Sequence, residues 1–218
     1  MKTRFIQLLL RILFLPALNI TNSKDEEKLF NDLYESSLKK EDKLIEYNLT
    51  VPKYKFLSYL IHNKSVLLHG SNNKAIEEFE PRKQTLADGN IVTAIFASKD
   101  PIWPIFYATL DKGKIVGNIR NGVVSSNGKN KYHFYSLTEP TISNNPWTTG
   151  FIYILPEETF SYKGKGVIQF DEWISQKPVA PILKLKVNPD DFPFRDKVAT
   201  HHSNESIIKS WLLYKFRL

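Results

Sequence analysis

The chain contains no cysteine. That absence excludes disulfide scaffolds, thiolate zinc sites and cysteine nucleophiles together. Histidine is scarce as well, with five residues, and the only adjacent pair is His201 and His202. Neighbouring side chains on a strand or helix point in different directions, so shared chelation and a metal centre are not expected. No GxGxxG fingerprint, Walker A loop or GxSxG elbow occurs, which argues against several common nucleotide-binding and hydrolase classes. Long apolar runs are missing too. In the apolar amino-terminal segment the longest uncharged stretch, Ile12–Ser23, falls short of the ~20 residues that a membrane-spanning helix needs.

What is present is an ordinary globular composition with a basic bias. The 218 residues are 42% hydrophobic and 13% aromatic. A chain of this size buries roughly 70% of its unfolded surface, enough to fold without covalent staples. Thirty Lys and Arg against 23 Asp and Glu give a net charge of +7. Such a charge favours anionic ligands or polyanions and says nothing about fold.

The amino-terminal segment KTRFIQLLLRILFLPALNI has the charged start and apolar middle of a signal peptide. However, Arg11 interrupts the apolar run and no clear small-x-small cleavage site follows. At helical spacing Phe5, Leu8, Leu9, Ile12, Leu13 and Leu15 form a broad apolar face, with Pro16 ending the helix. A helix docked on the core of a cytoplasmic protein is the expectation, and contact of residues 1–20 with a membrane surface is the alternative. A second amphipathic helix is expected within residues 22–47, with N-cap candidates among Thr21, Asn22 and Ser23 and acids in its first turn. Pro52 opens a third over Lys53–Asn63, with Phe56, Leu57, Leu60 and Ile61 facing inward.

Beyond residue 63 the pattern changes to short apolar runs bounded by Gly, Pro, Asn and Asp. These predict strands at Val66–Leu68, Val92–Ala97, Gly150–Leu155, Val167–Phe170 and Ile182–Val187. Helices are expected between Pro101 and Leu110 and at Ser206–Phe216, and Ser125–Lys131 reads as a polar loop. Helices gathered early and strands separated mostly by loops indicate an α+β protein. The expected organisation is a helical N-terminal extension, residues 1–63, followed by one α+β domain, residues 64–218.

Three places could carry chemistry. In Val66–Asn72 an apolar strand ends in His69, Gly70 and Ser71, placing an imidazole at the mouth of a sheet beside a residue that allows close approach to the backbone. In Gly89–Leu110 a strand ending at Phe96 and Ala97 leads into a short helix bearing Trp103, Phe106 and Tyr107. Such spacing usually means core packing, but one ring could face a cleft and stack on a planar ligand. In Phe170–Ser175 two adjacent acids, Asp171 and Glu172, precede Trp173, which could partly desolvate a catalytic carboxylate.

In this order the three places resemble the ADP-ribosyltransferase fold of the diphtheria-toxin and poly-ADP-ribose-polymerase type. His69-Gly70-Ser71 is similar to the His-Gly-Ser/Thr that ends that family's first strand. Ile95-Phe96-Ala97, with Phe106 and Tyr107 about eleven residues on, resembles its strand and aromatic helix. Glu172-Trp173-Ile174, followed by Val179, Pro181 and the strand Ile182–Leu185, resembles its Glu-bearing element. The likeness covers residues 66–187 and extends to a bacterial protein family of unassigned activity with the same core. It departs where the family carries a strand tyrosine, for which the register offers Ile95 or Phe96, and Asp171-Glu172 leaves the acid open by one residue.

The resemblance implies a split, mainly antiparallel β-sheet core and NAD as the substrate. His69 would then bind ribose hydroxyls, while Gly70 and Ser71 would hold the nicotinamide end. Phe96 and Tyr107 would pack on the ring, and Glu172 would stabilise the centre left when nicotinamide departs. Arg82 or Arg120 would meet the pyrophosphate. The acceptor would be water, a protein, a nucleic acid or a small molecule. The alternatives are an NAD-dependent RNA 2′-phosphotransferase, or a non-catalytic module that uses the same fold to hold nucleic acid or a protein.

Overall fold

A computed structural model describes residues 2–86, 89–126, 128 and 130–218, with only the backbone at residues 2 and 3. The elements run α1 (Lys2–Leu13), β1 (Leu15–Pro16), α2 (Lys24–Leu38), β2 (Leu44–Ile45), α3 (Lys53–Asn63), β3 (Val66–Ser71), β4 (Arg82–Thr85), β5 (Ile91–Ala97) and α4 (Trp103–Ala108). They continue with β6 (Ile119–Ser125), β7 (Lys131–Thr138), α5 (Glu139–Ser143), β8 (Gly150–Pro156), β9 (Ser161–Tyr162), β10 (Gln169–Phe170), β11 (Trp173–Ser175), β12 (Leu183–Val187), β13 (Ala199–His201) and α6 (Ile207–Leu213). No helix among the described residues is long and apolar enough to cross a membrane.

The strands form three sheets, which makes the protein α+β with mainly antiparallel pairing. One has the order β2-β12-β8-β3, another β4-β5-β11-β9, and the third β1-β7-β6-β10 with β13 alongside β7. Among the described residues, only β2 on β12 and β13 on β7 run parallel. The first two sheets are tied together just beyond β5, where Leu68 and Ser98 exchange two backbone hydrogen bonds of 3.0 Å.

Local chemistry accounts for most helix ends. Ser23 and Glu26 cap α2 reciprocally in a capping box, satisfying two N–H groups that the first turn leaves open. Pro52 precedes α3, whose Phe56, Leu57 and Leu60 are fully buried. On β12 the alternation Leu183-Lys184-Leu185-Lys186-Val187 puts the three apolar residues inside, as the period of two requires.

The first 63 residues are not set apart as an extension. Phe30, Phe56, Leu57 and Leu60 share one core cluster with Leu68, Phe106, Ile152 and Leu185. The segment also supplies β1 and β2, which pair with β7 and β12. The longest pairing, β6 with β7, lies on either side of the Ser125–Lys131 loop, where no strands were expected.

Helix α4 is the element that shapes the site. It lies across β3 and β8 at a separation only glycine permits. A Cβ at Gly70 would fall 1.8 Å from the Pro104 carbonyl oxygen, and one at Gly150 would fall 1.9 Å from that of Ala108. Gly70, expected to admit a ligand, thus uses its missing side chain to admit a helix.

Between β6 and the carboxy-terminal segment Arg120 and Arg217 converge on Glu205. Arg217 forms a two-pronged ion pair with it at 2.6 and 2.9 Å, and Arg120 also bonds the Glu205 carbonyl and Ser210. Hydrogen bonds from Arg217 and Ser210 hold the Glu205 carboxyl down at about 2. Nearby, burial and the charge of Arg120 push His201 down to about 4. His201 stays neutral, with Nε2–H donating to Asn118 and Nδ1 accepting from Ser136.

Two predictions follow from this packing. Gly150→Ala is expected to cost more than about 2 kcal/mol, because backbone rather than a flexible side chain occupies the space; urea denaturation measures it. Both His201 and Glu205 have folded pKa values below their unfolded ones, so the stability each contributes is complete above the unfolded value and is lost on acidification. The His201 contribution should fade as the pH drops from 6.5 toward 4, and that of Glu205 from 4.5 toward 2. Thermal unfolding against pH should therefore show two descending steps, the lower one missing in Glu205→Gln.

Candidate active site

The end of β3, the end of β5, helix α4 and the β10–β11 junction surround one open cavity of about 410 Å³. Its wall includes His69, Gly70, Phe96, Tyr107 and Glu172, and its size suits part of a nucleotide-sized ligand. Five of the sequence-expected positions, separated by up to about a hundred residues, thus meet in a single place.

His69 is oriented by the neighbouring strand. Its Nδ1 lies 2.6 Å from the Phe96 carbonyl oxygen. A carbonyl only accepts, so Nδ1 carries the proton and Nε2 keeps a lone pair. Phe79 packs edge-on against the ring at 4.7 Å. Burial holds the imidazole below its ordinary pKa, and the positive charges of Lys112 and Arg82 add to that effect. His69 is therefore a neutral hydrogen-bond acceptor, suited to a hydroxyl group.

Gly70 presents its backbone. Leu68 bonds Ser98 across the β5-side edge of β3, and successive residues of a strand alternate in the edge their N–H and C=O address. Gly70, two residues on, directs both groups to that same edge. There the pairing with β5 has ended, because the Phe96 carbonyl accepts from His69 instead. One donor and one acceptor side by side match a primary carboxamide.

Two rings follow. On β5, Ile95 turns into a buried cluster with Leu67 and Tyr153, while Phe96 faces the cavity; the strand aromatic is Phe96. On α4, Trp103, Pro104, Ile105, Phe106 and Ala108 are buried, and Tyr107 alone is exposed. The helix begins where it does because Asp100, itself 2% exposed, accepts from the backbone N–H groups of Ile102 and Trp103 at 3.0 and 2.8 Å. Asn121 on β6 accepts the Trp103 indole N–H and hydrogen-bonds Tyr107. Burial raises the Tyr107 hydroxyl above its ordinary pKa, and the negative charge of Glu172 pushes the same way.

The adjacent acids separate cleanly. Asp171 is buried and accepts from Ser98 Oγ at 2.8 Å, Lys131 Nζ at 3.0 Å and Trp173 Nε1 at 3.3 Å. It ties β11 to the β5–α4 turn. Glu172 faces the cavity and also borders a second, smaller one of about 210 Å³ lined by Lys163, Gly164, Lys165 and Phe170. Glu172, not Asp171, lines this cavity.

Two sequence expectations need correction, and a third residue stands at the rim rather than on the wall. Ser71 is buried and accepts the Asn73 N–H; it is not on the cavity wall. Arg120 is bound up with Glu205 and α6. Arg82 is exposed and stands off the wall, but it shares a face of β4 with Gln84, which lines the cavity. Lys112, in the turn after α4, lines the wall directly and was missed because one lysine in a polar turn gives no signal. Asn121 was missed for the same reason. No cluster able to hold a metal ion occurs among the described residues. No family model, curated protein or solved structure matches the chain.

The separate tasks of the two acids are testable by denaturation. Asp171→Ala leaves Lys131 partly buried without its counter-charge and should cost about 3 kcal/mol. Glu172→Gln, which keeps the shape of a side chain on the cavity wall, should cost less than Asp171→Ala.

Proposed function

We propose that the protein cleaves the nicotinamide–ribose bond of NAD, transferring ADP-ribose to an acceptor or to water. The observation that carries this reading is the convergence of His69, the outward backbone of Gly70, two aromatic side chains and Glu172 on one cavity. Each matches a part of the dinucleotide's nicotinamide half. The carboxamide takes the N–H and C=O of Gly70. The ring packs between Phe96 and Tyr107. A ribose hydroxyl donates to His69 Nε2, and Lys112 with Arg82 gives the rim a positive charge for the pyrophosphate.

The chemistry follows from charge. As the glycosidic bond breaks, the bonding pair leaves with nicotinamide, whose ring nitrogen loses its positive charge. The positive charge moves to the ribose as an oxocarbenium-like centre. The Glu172 carboxylate stabilises that centre and accepts a hydrogen bond from a ribose hydroxyl; a preorganised charge of this kind is worth roughly 10²- to 10³-fold in rate. The nucleophile then attacks the same carbon and releases its proton. Because Glu172 also borders the smaller cavity, a second reactant has room beside it. The arginine-poor wall gives the RNA 2′-phosphotransferase alternative no comparable support.

Nicotinamide release from NAD, followed chromatographically, tests the proposal. Glu172→Gln should lower the rate at least about 100-fold. Tyr107→Ala, which removes one face of the ring slot, should weaken NAD binding about tenfold. A purified chain that neither binds NAD by calorimetry nor releases nicotinamide would sink the enzyme reading and leave the binding module.

A further inference from the structure

Helices α1 and α6 lie together on one face of the β1-β7-β6-β10 sheet. Phe14 stacks on Phe134 of β7 at 5.0 Å and meets Trp211 edge-on at 5.6 Å, and Leu10 and Tyr214 complete this buried layer. Lys215 Nζ bonds the Arg11 carbonyl at 2.7 Å, closing the end of one helix onto the other. Their opposite faces, which should be polar if they met only water, are not. Phe5, Leu8 and Ile12 on α1, Ile208 on α6, and Phe216 just beyond it are each more than half exposed. Isolated apolar residues on a surface need no explanation, but a two-helix layer with an apolar outer stripe does.

We propose that this layer docks on the surface of an anionic lipid bilayer. Charge decides between the possible occupants. Residues 2–23 and 206–218 contain no acidic side chain, while Arg4, Arg11, Lys209 and Lys215 are exposed beside the apolar stripe. Glu205, which stands just before α6, is already taken by Arg217 and Arg120. A second copy of this face would bring these cations against themselves with no acid to answer them. A nucleic acid would match the charge but leave the phenylalanine, leucine and isoleucine side chains in water. A bilayer with anionic headgroups answers both, since apolar side chains enter the acyl boundary while lysine and arginine remain at the headgroups. Neither helix crosses the membrane; both lie in its interface.

The test is co-sedimentation of the full chain with vesicles of phosphatidylcholine mixed with phosphatidylglycerol, against vesicles of phosphatidylcholine alone. The mixed vesicles should bind at least about tenfold more protein, and the excess should shrink as salt rises. Leu8→Gln with Ile12→Gln, and separately Ile208→Gln with Phe216→Gln, should each reduce binding at least about tenfold. These positions face outward, so circular dichroism and thermal unfolding should match the parent protein. Arg4→Gln with Arg11→Gln should lower binding to the mixed vesicles only. No binding to either vesicle, or equal binding to both, would overturn the proposal. So would a dimer in sedimentation velocity that the same apolar substitutions abolish.

Discussion

The close approach of helix α4 to the paired strands β3 and β8 is the contact on which the site depends. Two residues without side chains, Gly70 and Gly150, let the helix backbone settle against the strand backbone. Once there, α4 has five of its six residues buried, so the sixth, Tyr107, takes the remaining direction into the cavity. The same contact puts the outward N–H and C=O of Gly70 at the cavity edge. One packing constraint thereby fixes both the ring wall and the backbone pair beside it.

The rest of the site is held by polar groups that have little freedom. Asp100 starts α4 by accepting two backbone N–H groups. Ser98 bridges Asp171 to that turn while its backbone pairs with Leu68. His69 is held by the Phe96 carbonyl, which forfeits its place in the sheet to do so. Each hydrogen bond is ordinary in strength, about 1 kcal/mol net. Together they leave Glu172, Tyr107 and His69 few alternative positions, and the proposed stabilisation of a developing charge needs that rigidity.

Much of this was legible in the residue order, and the part that was not has physical causes. The apolar runs and helix signals located α2, α3, α4, β3, β5, β8 and β12 within a few residues, because each is long or periodic enough to declare itself. The β6–β7 pair was not seen. Its strands are polar in composition, with His133, Tyr135, Ser136 and Thr138 all buried, and the polar loop between them drew attention to itself. His69, Phe96, Tyr107 and Glu172, picked out by residue type and order, lie on the wall of one cavity. Ser71 and Arg120 were misplaced because type and order do not reveal whether a neighbour already occupies a side chain. The outer face of α1 looked apolar in sequence, but its partnership with α6 is a product of the fold.

The pairing of a carboxamide with the Gly70 backbone is the most discriminating feature of the proposed site. It can be measured without turnover by titrating Glu172→Gln with NAD and with its deamido form, in which the carboxamide is a carboxylate. A carboxylate cannot donate to the Gly70 carbonyl and places negative charge against it, so NAD should bind at least about tenfold tighter, equivalent to about 1.4 kcal/mol. Equal affinities, or no heat with either dinucleotide, would contradict the account.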